Sequence, residues 1–176
     1  RTVIGNPFPK ATWGISNTFR WKGFDLYFLI QGVSGLDVFN GDGYYTESKK
    51  FNRNYVKDRW ISAEYPGDGR TPTVGSAGIS WEFTDYMIED GSFVALRDVV
   101  LGYTFDKKKL KKAGLNSLRL YASGQNLLYF WGKSYRGINP EARVTTGSYS
   151  SPLVNGYQRG GFPIQSTVNI GFELNF

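Results

Sequence analysis

The sequence of 176 residues has no cysteine, no histidine, one methionine, and no apolar run near the roughly 20 residues that a membrane helix needs. Each shortage removes a class of protein. Without cysteine there is neither a disulfide framework nor a thiolate metal site, and cysteine usage cannot distinguish an oxidising compartment from a reducing one. Without histidine the usual general base at neutral pH and the commonest metal ligand are missing, which argues against an enzyme and against a metal or other cofactor. Helical membrane spanning is excluded, and no signal peptide is visible. The first residue is Arg rather than Met, so the chain is expected to be processed or cut from something longer.

What the chain does have is aromatic residues and glycine. Five Trp, 12 Tyr and 13 Phe make up 17% of the residues, beside 22 Gly, a mixture that favours strands and turns over helices. An all-β protein is expected. The length suits one domain, and no change in composition marks a second. The net charge of +6 is moderate, with basic residues scattered apart from the run KKKLKK at 107–112.

Five segments alternate apolar and polar residues with the period of two that a strand imposes. Near 12–21, Trp13, Ile15, Phe19 and Trp21 share one face; near 24–33, Phe24, Leu26, Phe28 and Ile30 do so. With only Lys22 and Gly23 between them, these two form a hairpin. Near 92–105 the apolar face holds Val99, Leu101, Tyr103 and Phe105, although the first half of the run is less regular. Near 117–130 it holds Leu118, Leu120, Ala122 and Leu128, interrupted at Asn126. Near 166–176 it holds Val168, Ile170, Phe172, Leu174 and Phe176.

Short and long connections alternate along the chain. The first and second strands, and the third and fourth, are joined briefly; residues 34–91 and 131–165 form the two long loops. In an antiparallel up-and-down meander all short turns then fall at one end of the sheet and both long loops at the other. Two architectures fit. A soluble β-sandwich, for instance a carbohydrate-binding module, would hide the apolar face in a core, whereas a transmembrane barrel would turn it to lipid. Ten residues at about 3.3 Å each, tilted by about 45°, span roughly 23 Å, close to the apolar band of an outer-membrane barrel. Trp21, Phe24, Tyr103, Phe105 and Phe176 would form an aromatic girdle at the short-turn end. A mean hydropathy of -0.37 is compatible with this, because only every second strand residue must meet lipid. Five strands cannot close a barrel, so the rest of it is expected upstream.

Four stretches resemble, in order, the SusC/RagA-like TonB-dependent transporters of the outer membrane of Bacteroidetes: RTVIGNPFPKATWGISNTFRWKGFDLYFLIQG, DGSFVALRDVVLGYTF, LNSLRLYASGQNLLYF and GFELNF. The resemblance implies that residues 1–176 are the C-terminal segment of a 22-stranded transmembrane β-barrel, with 34–91 and 131–165 extracellular. It implies a multi-pass barrel in the outer membrane that takes up glycans or oligopeptides and reaches TonB through a missing N-terminal part. A SusD-like surface lipoprotein would contact residues 34–91 and 129–165. Gly171, Phe172, Leu174 and Phe176 look similar to the terminal signal read by the barrel insertion machinery.

Among other candidates, the loop residues Trp60, Tyr65, Trp81, Trp131, Tyr135 and Arg136 could stack on sugars or grip peptides, with loop packing the blander alternative for each. The lysine run lacks interleaved aromatics; it reads as a solvated periplasmic turn, and no nucleic-acid partner is expected. Glu89 and Asp90 are adjacent, so on a strand they point to opposite faces, and they read as a loop terminus. YPGDGRTP at 65–72 has too few carboxylates for a calcium loop, and neither GDG lies between a strand and a helix as a phosphate cradle would.

Overall fold

The computed structural model describes residues 2–41, 59–69, 73, 85–111, 114–142, 156–158 and 161–176. They fall into two compact units. One comprises residues 11–33, 93–130 and 164–176, the other residues 1–10, 34–92 and 131–163.

The first unit is one sheet of five strands: β1 (Ala11–Trp21), β2 (Phe24–Ser34), β5 (Phe93–Thr104), β6 (Ser117–Trp131) and β8 (Thr167–Asn175), in the order β1-β2-β5-β6-β8. Each strand therefore neighbours the one before it along the sheet, as an up-and-down meander requires. The turn between β1 and β2 has positive φ at both central residues, 47° at Lys22 and 89° at Gly23, the geometry that matches the twist of a tight hairpin. β2 and β5 run antiparallel from Phe24 opposite Tyr103 to Val33 opposite Phe93. The Phe105 amide donates to the Leu118 carbonyl at 2.9 Å, which sets the end of β5 beside the start of β6. β6 and β8 run antiparallel from Ser117 opposite Asn175 to Gln125 opposite Thr167.

The irregular first half of β5 has a specific cause. The register with β2 slips between Leu29 and Ile30, so that Leu29 faces Asp98 while Ile30 faces Leu96, and Arg97 is the extra residue of a bulge. The slip shifts the phase by one, and Val94 and Leu96 fall into line with Val99, Leu101 and Tyr103. Asn126, which interrupts the pattern in β6, has φ 52°, and pairing with β8 stops just before it.

The apolar face of this sheet is bare. Ile15 is 55% exposed, Leu101 50%, Leu120 46% and Ile170 87%, so among the described residues nothing packs over them. Phe28 is half-buried because Phe19 stacks on it at 6.1 Å. A sandwich would bury this row in its core; here the row meets the surroundings.

The second unit holds a small sheet in the order β4-β3-β7, with β3 at Asp37–Asn40, β4 at Ile88–Asp90 and β7 at Tyr157–Gln158. β3 pairs antiparallel with β4 and parallel with β7. No strand was expected in these stretches, and the parallel pair departs from a pure meander. A 3-10 turn at Asp85–Met87 leads into β4. The N-terminal segment joins β3 through Asn6, whose amide donates to Asp37 Oδ2 at 2.8 Å while its carbonyl accepts the Asp37 amide at 3.0 Å. Val38, Met87 and Tyr135 are buried, together with Asn40, Arg59, Glu89 and Gln158.

Candidate functional site

On the polar face of the five-stranded sheet a row of charges crosses the strands near the short turns. Arg119 on β6 donates from Nη2 to Asp25 Oδ2 at 2.7 Å and from Nε to Asp25 Oδ1 at 3.1 Å, a bidentate grip on β2. Its Nη1 donates to Glu173 Oε1 on β8 at 3.0 Å. The guanidinium also lies 5.3 Å from the Tyr121 ring centre, and that ring covers Gly171 on β8. β5 lies between Asp25 and Arg119, and the pair can meet only because the intervening residue is Gly102. A Cβ there would come within 2.5 Å of Asp25 Oδ1 and 2.7 Å of Arg119 Nη2. The row borders an open depression of about 570 Å³, also lined by Arg20, Lys22 and Thr104. Opposite charges tied across four strands make this face polar yet internally satisfied.

Toward the other end of the same face, Arg97 donates from Nε to Gln31 Oε1 at 2.7 Å and from Nη1 to Asn126 Oδ1 at 3.3 Å, and it also bonds the Tyr129 hydroxyl. Its guanidinium lies over the Phe93 and Tyr129 rings at 5.7 and 5.3 Å. The bulge thus places its extra residue, Arg97, on the polar face, and the left-handed Asn126 receives it.

The second unit is organised around Glu89, whose side chain is only 2% exposed. Its Oε2 accepts the Arg136 amide at 2.7 Å, and its Oε1 accepts Arg136 Nε at 2.7 Å and Asn40 Nδ2 at 2.9 Å. Arg136 Nη2 donates to the Tyr86 carbonyl at 2.9 Å, with the guanidinium 5.0 Å from the Tyr86 ring. Beside it the Tyr135 hydroxyl donates to Gln158 Oε1 at 2.7 Å, and Gln158 Nε2 donates to the Pro140 carbonyl at 2.7 Å. Three stretches far apart in sequence, around Asn40, Glu89 and Arg136, are thereby joined through a buried carboxylate, and Tyr135 ties in a fourth at Gln158.

Among the described residues, the loop residues singled out from the sequence differ in their surroundings. Tyr135 is 5% exposed and Arg136 grips Glu89, so both hold the loop together. Trp131 is 41% exposed and meets the Tyr135 ring edge-on at 6.1 Å. Trp60 and Tyr65 are 44% and 68% exposed, on a loop closed by hydrogen bonds that the Ile61 and Ser62 amides donate to the Tyr65 carbonyl. Trp81 lies outside the described residues, as do parts of YPGDGRTP and of the first GDG. In β8, Gly171, Phe172 and Leu174 pair with Tyr121, Leu120 and Leu118, and Phe176 is 84% exposed beyond the strand. Glu89 was read from the sequence as a loop terminus; its partner Arg136 is 47 residues away, and no local signal links them. The signal for the Asp25–Arg119–Glu173 row was present, since each is a charged residue on a polar strand face near the short-turn end. Among the described residues no group of acidic side chains could hold a metal, and no helix is long and apolar enough to cross a membrane.

No family model matches the chain. It is 32% identical over its whole length to TonB-dependent receptor P3 of Formosa agariphila, covering 17% of that protein. Over 99% of the chain it is 24% identical to TonB-dependent receptor SusC of Bacteroides thetaiotaomicron, covering 16% of it. The chain belongs to the SusC/RagA-like TonB-dependent receptors. The fold agrees: the structure of the RagAB peptide importer in its open-open state superposes over 99% of the chain, with a TM-score of 0.74 at 22% identity, covering 18% of that importer chain. The SusC/RagA-like chain therefore spans about one-sixth of the length of the curated relatives it matches. Proteins of this family are outer-membrane β-barrels, whose sheets turn one apolar face to lipid and one polar face to the lumen.

Proposed function

We propose that this chain forms part of the wall and the loops of an outer-membrane nutrient importer that takes up glycans or oligopeptides. In it, residues 1–176 are the C-terminal barrel segment, with residues 34–91 and 131–165 outside the cell. TonB acts through a part of the receptor not present here, and a SusD-like lipoprotein meets the long loops. The wall contributes no bond-making chemistry; it separates lipid from a polar lumen and carries the loops that contact cargo or partner.

The observation that carries this function is the two-faced sheet. One side exposes Ile15, Leu101, Leu120 and Ile170, while the other pairs its charges along Asp25, Arg119 and Glu173. Lipid rewards the first arrangement and a wet lumen tolerates the second. The test is uptake by cells whose full-length receptor carries or lacks this segment, offered labelled oligopeptides in one arm and labelled glycans in the other. Uptake in one arm that depends on the segment and on TonB is expected. A receptor that purifies monodisperse in plain buffer, without detergent, would overturn the assignment in favour of a soluble sandwich.

A further inference from the structure

The charge of the chain is concentrated at one end of the sheet. The two short connections, residues 22–23 and 105–116, carry six lysines against one aspartate, while the other 162 residues hold 15 basic and 14 acidic side chains. Nearly all of the net charge of +6 therefore sits on two turns. These turns adjoin an aromatic band. Phe24, Tyr103 and Phe105 form a continuous row with ring centres 4.6 and 4.9 Å apart, and Trp21 is 66% exposed beside it. Lys22 Nζ lies 4.9 Å from the Trp21 ring.

The larger turn is held in place. Lys107–Leu110 forms a single helical turn, α1, and Leu110 is buried at 8% exposure. The Leu115 amide donates to the Leu110 carbonyl at 3.3 Å and the Gly114 amide to the Lys111 carbonyl at 3.2 Å. Lys107 and Lys111 are exposed on either side of the buried leucine. A lysine-rich segment kept only for solubility has no need to fix the leucine set among its lysines. Lys107 and Lys111 thus flank a fixed leucine, in the connection that directly follows the aromatic Tyr103 and Phe105.

We propose that the short-turn end of the sheet binds anionic phospholipid headgroups, with Lys22, Lys107 and Lys111 contacting phosphates just beyond the aromatic band. The inference rests on the barrel assignment. An ammonium at a charged membrane surface attracts anionic lipid by on the order of fivefold per lysine, an effect that salt screens.

The test reconstitutes the full-length receptor in nanodiscs of phosphatidylcholine mixed with phosphatidylglycerol, then counts by mass spectrometry the lipids that stay bound after mild extraction. The unaltered receptor should enrich phosphatidylglycerol about tenfold or more over its share of the bilayer. The triple variant Lys22→Asn, Lys107→Gln, Lys111→Gln should approach parity, as should the unaltered receptor at about 1 M salt, where the screening length falls to about 3 Å. Lys10→Gln with Lys133→Gln, outside the two turns, should change nothing. Enrichment that survives in the triple variant, an equal loss in the control, or lysine-dependent capture of lipopolysaccharide instead of phosphatidylglycerol would overturn the proposal. A receptor that inserts normally but shows no lipid preference defeats this inference alone; one that enters no bilayer defeats the barrel assignment as well.

Discussion

Removing the Arg136 side chain should loosen the small sheet far more than removing the charge of its partner. Arg136→Ala leaves the Glu89 carboxylate, 2% exposed, with the Arg136 amide and Asn40 Nδ2 as donors but no cation. Breaking a buried ion pair from one side costs about 3 to 5 kcal/mol, because the remaining charge is stranded. Glu89→Gln strands the other partner, but the Arg136 side chain is 25% exposed and keeps its bond to the Tyr86 carbonyl and its contact with the Tyr86 ring. It can also turn to water, so the loss should be about 1 to 2 kcal/mol. The double variant should be less destabilised than the two losses added, with a coupling of about 1 to 3 kcal/mol. The measurement is amide hydrogen exchange in β3 and β4 of the full-length receptor in membranes, since a global melt would report mainly on the barrel. At about 1.36 kcal/mol per decade, Arg136→Ala should speed exchange of the Val38 and Phe39 amides roughly a hundredfold or more, and Glu89→Gln by about tenfold. Exchange within threefold of the unaltered protein in Arg136→Ala, or a larger effect from Glu89→Gln, would refute the view that a buried carboxylate organises this unit.

Three further outcomes are expected. Ile170→Arg, mid-strand on the bare face, should cost about 2 to 4 kcal/mol in urea unfolding of the receptor in liposomes, whereas Asn169→Arg on the polar face should stay within about 0.5 kcal/mol; equal costs would mean the faces are misassigned. Gly102→Ala should separate Arg119 from Asp25 and cost about 1 kcal/mol, the worth of a partly exposed pair, and should cost nothing once Asp25 is already alanine; a cost unchanged in that background would show that Gly102 matters for backbone reasons. If the apolar row of β8 serves as an assembly signal, Phe176→Asp should sharply lower the amount of receptor in the outer membrane while inserted molecules retain near-normal uptake; normal surface abundance would exclude that role.

The five long strands were legible because a sheet with two unlike faces writes itself into every second residue, and each strand is long enough for the period to register. The hairpin at Lys22–Gly23 was legible for a related reason, since a two-residue turn is specified by its own residues. The irregularity in β5 and the break at Asn126 were visible as faults in the pattern, but not their meaning. Only the register with β2 shows that Arg97 is an extra residue, and only the fold brings it to Asn126 and Tyr129. The sheet β4-β3-β7 left no readable trace, because strands of two to four residues are too short to show a period, and Phe39 finds its partner Tyr157 across most of the chain. The same distance hid Glu89 from Arg136. Alternation, turn chemistry and charge density are local, and the sequence by itself determined a two-faced meander with a basic short-turn end. Which charges neutralise one another, and which loop aromatics are buried and which exposed, depends on contacts between distant segments that only the tertiary structure decided.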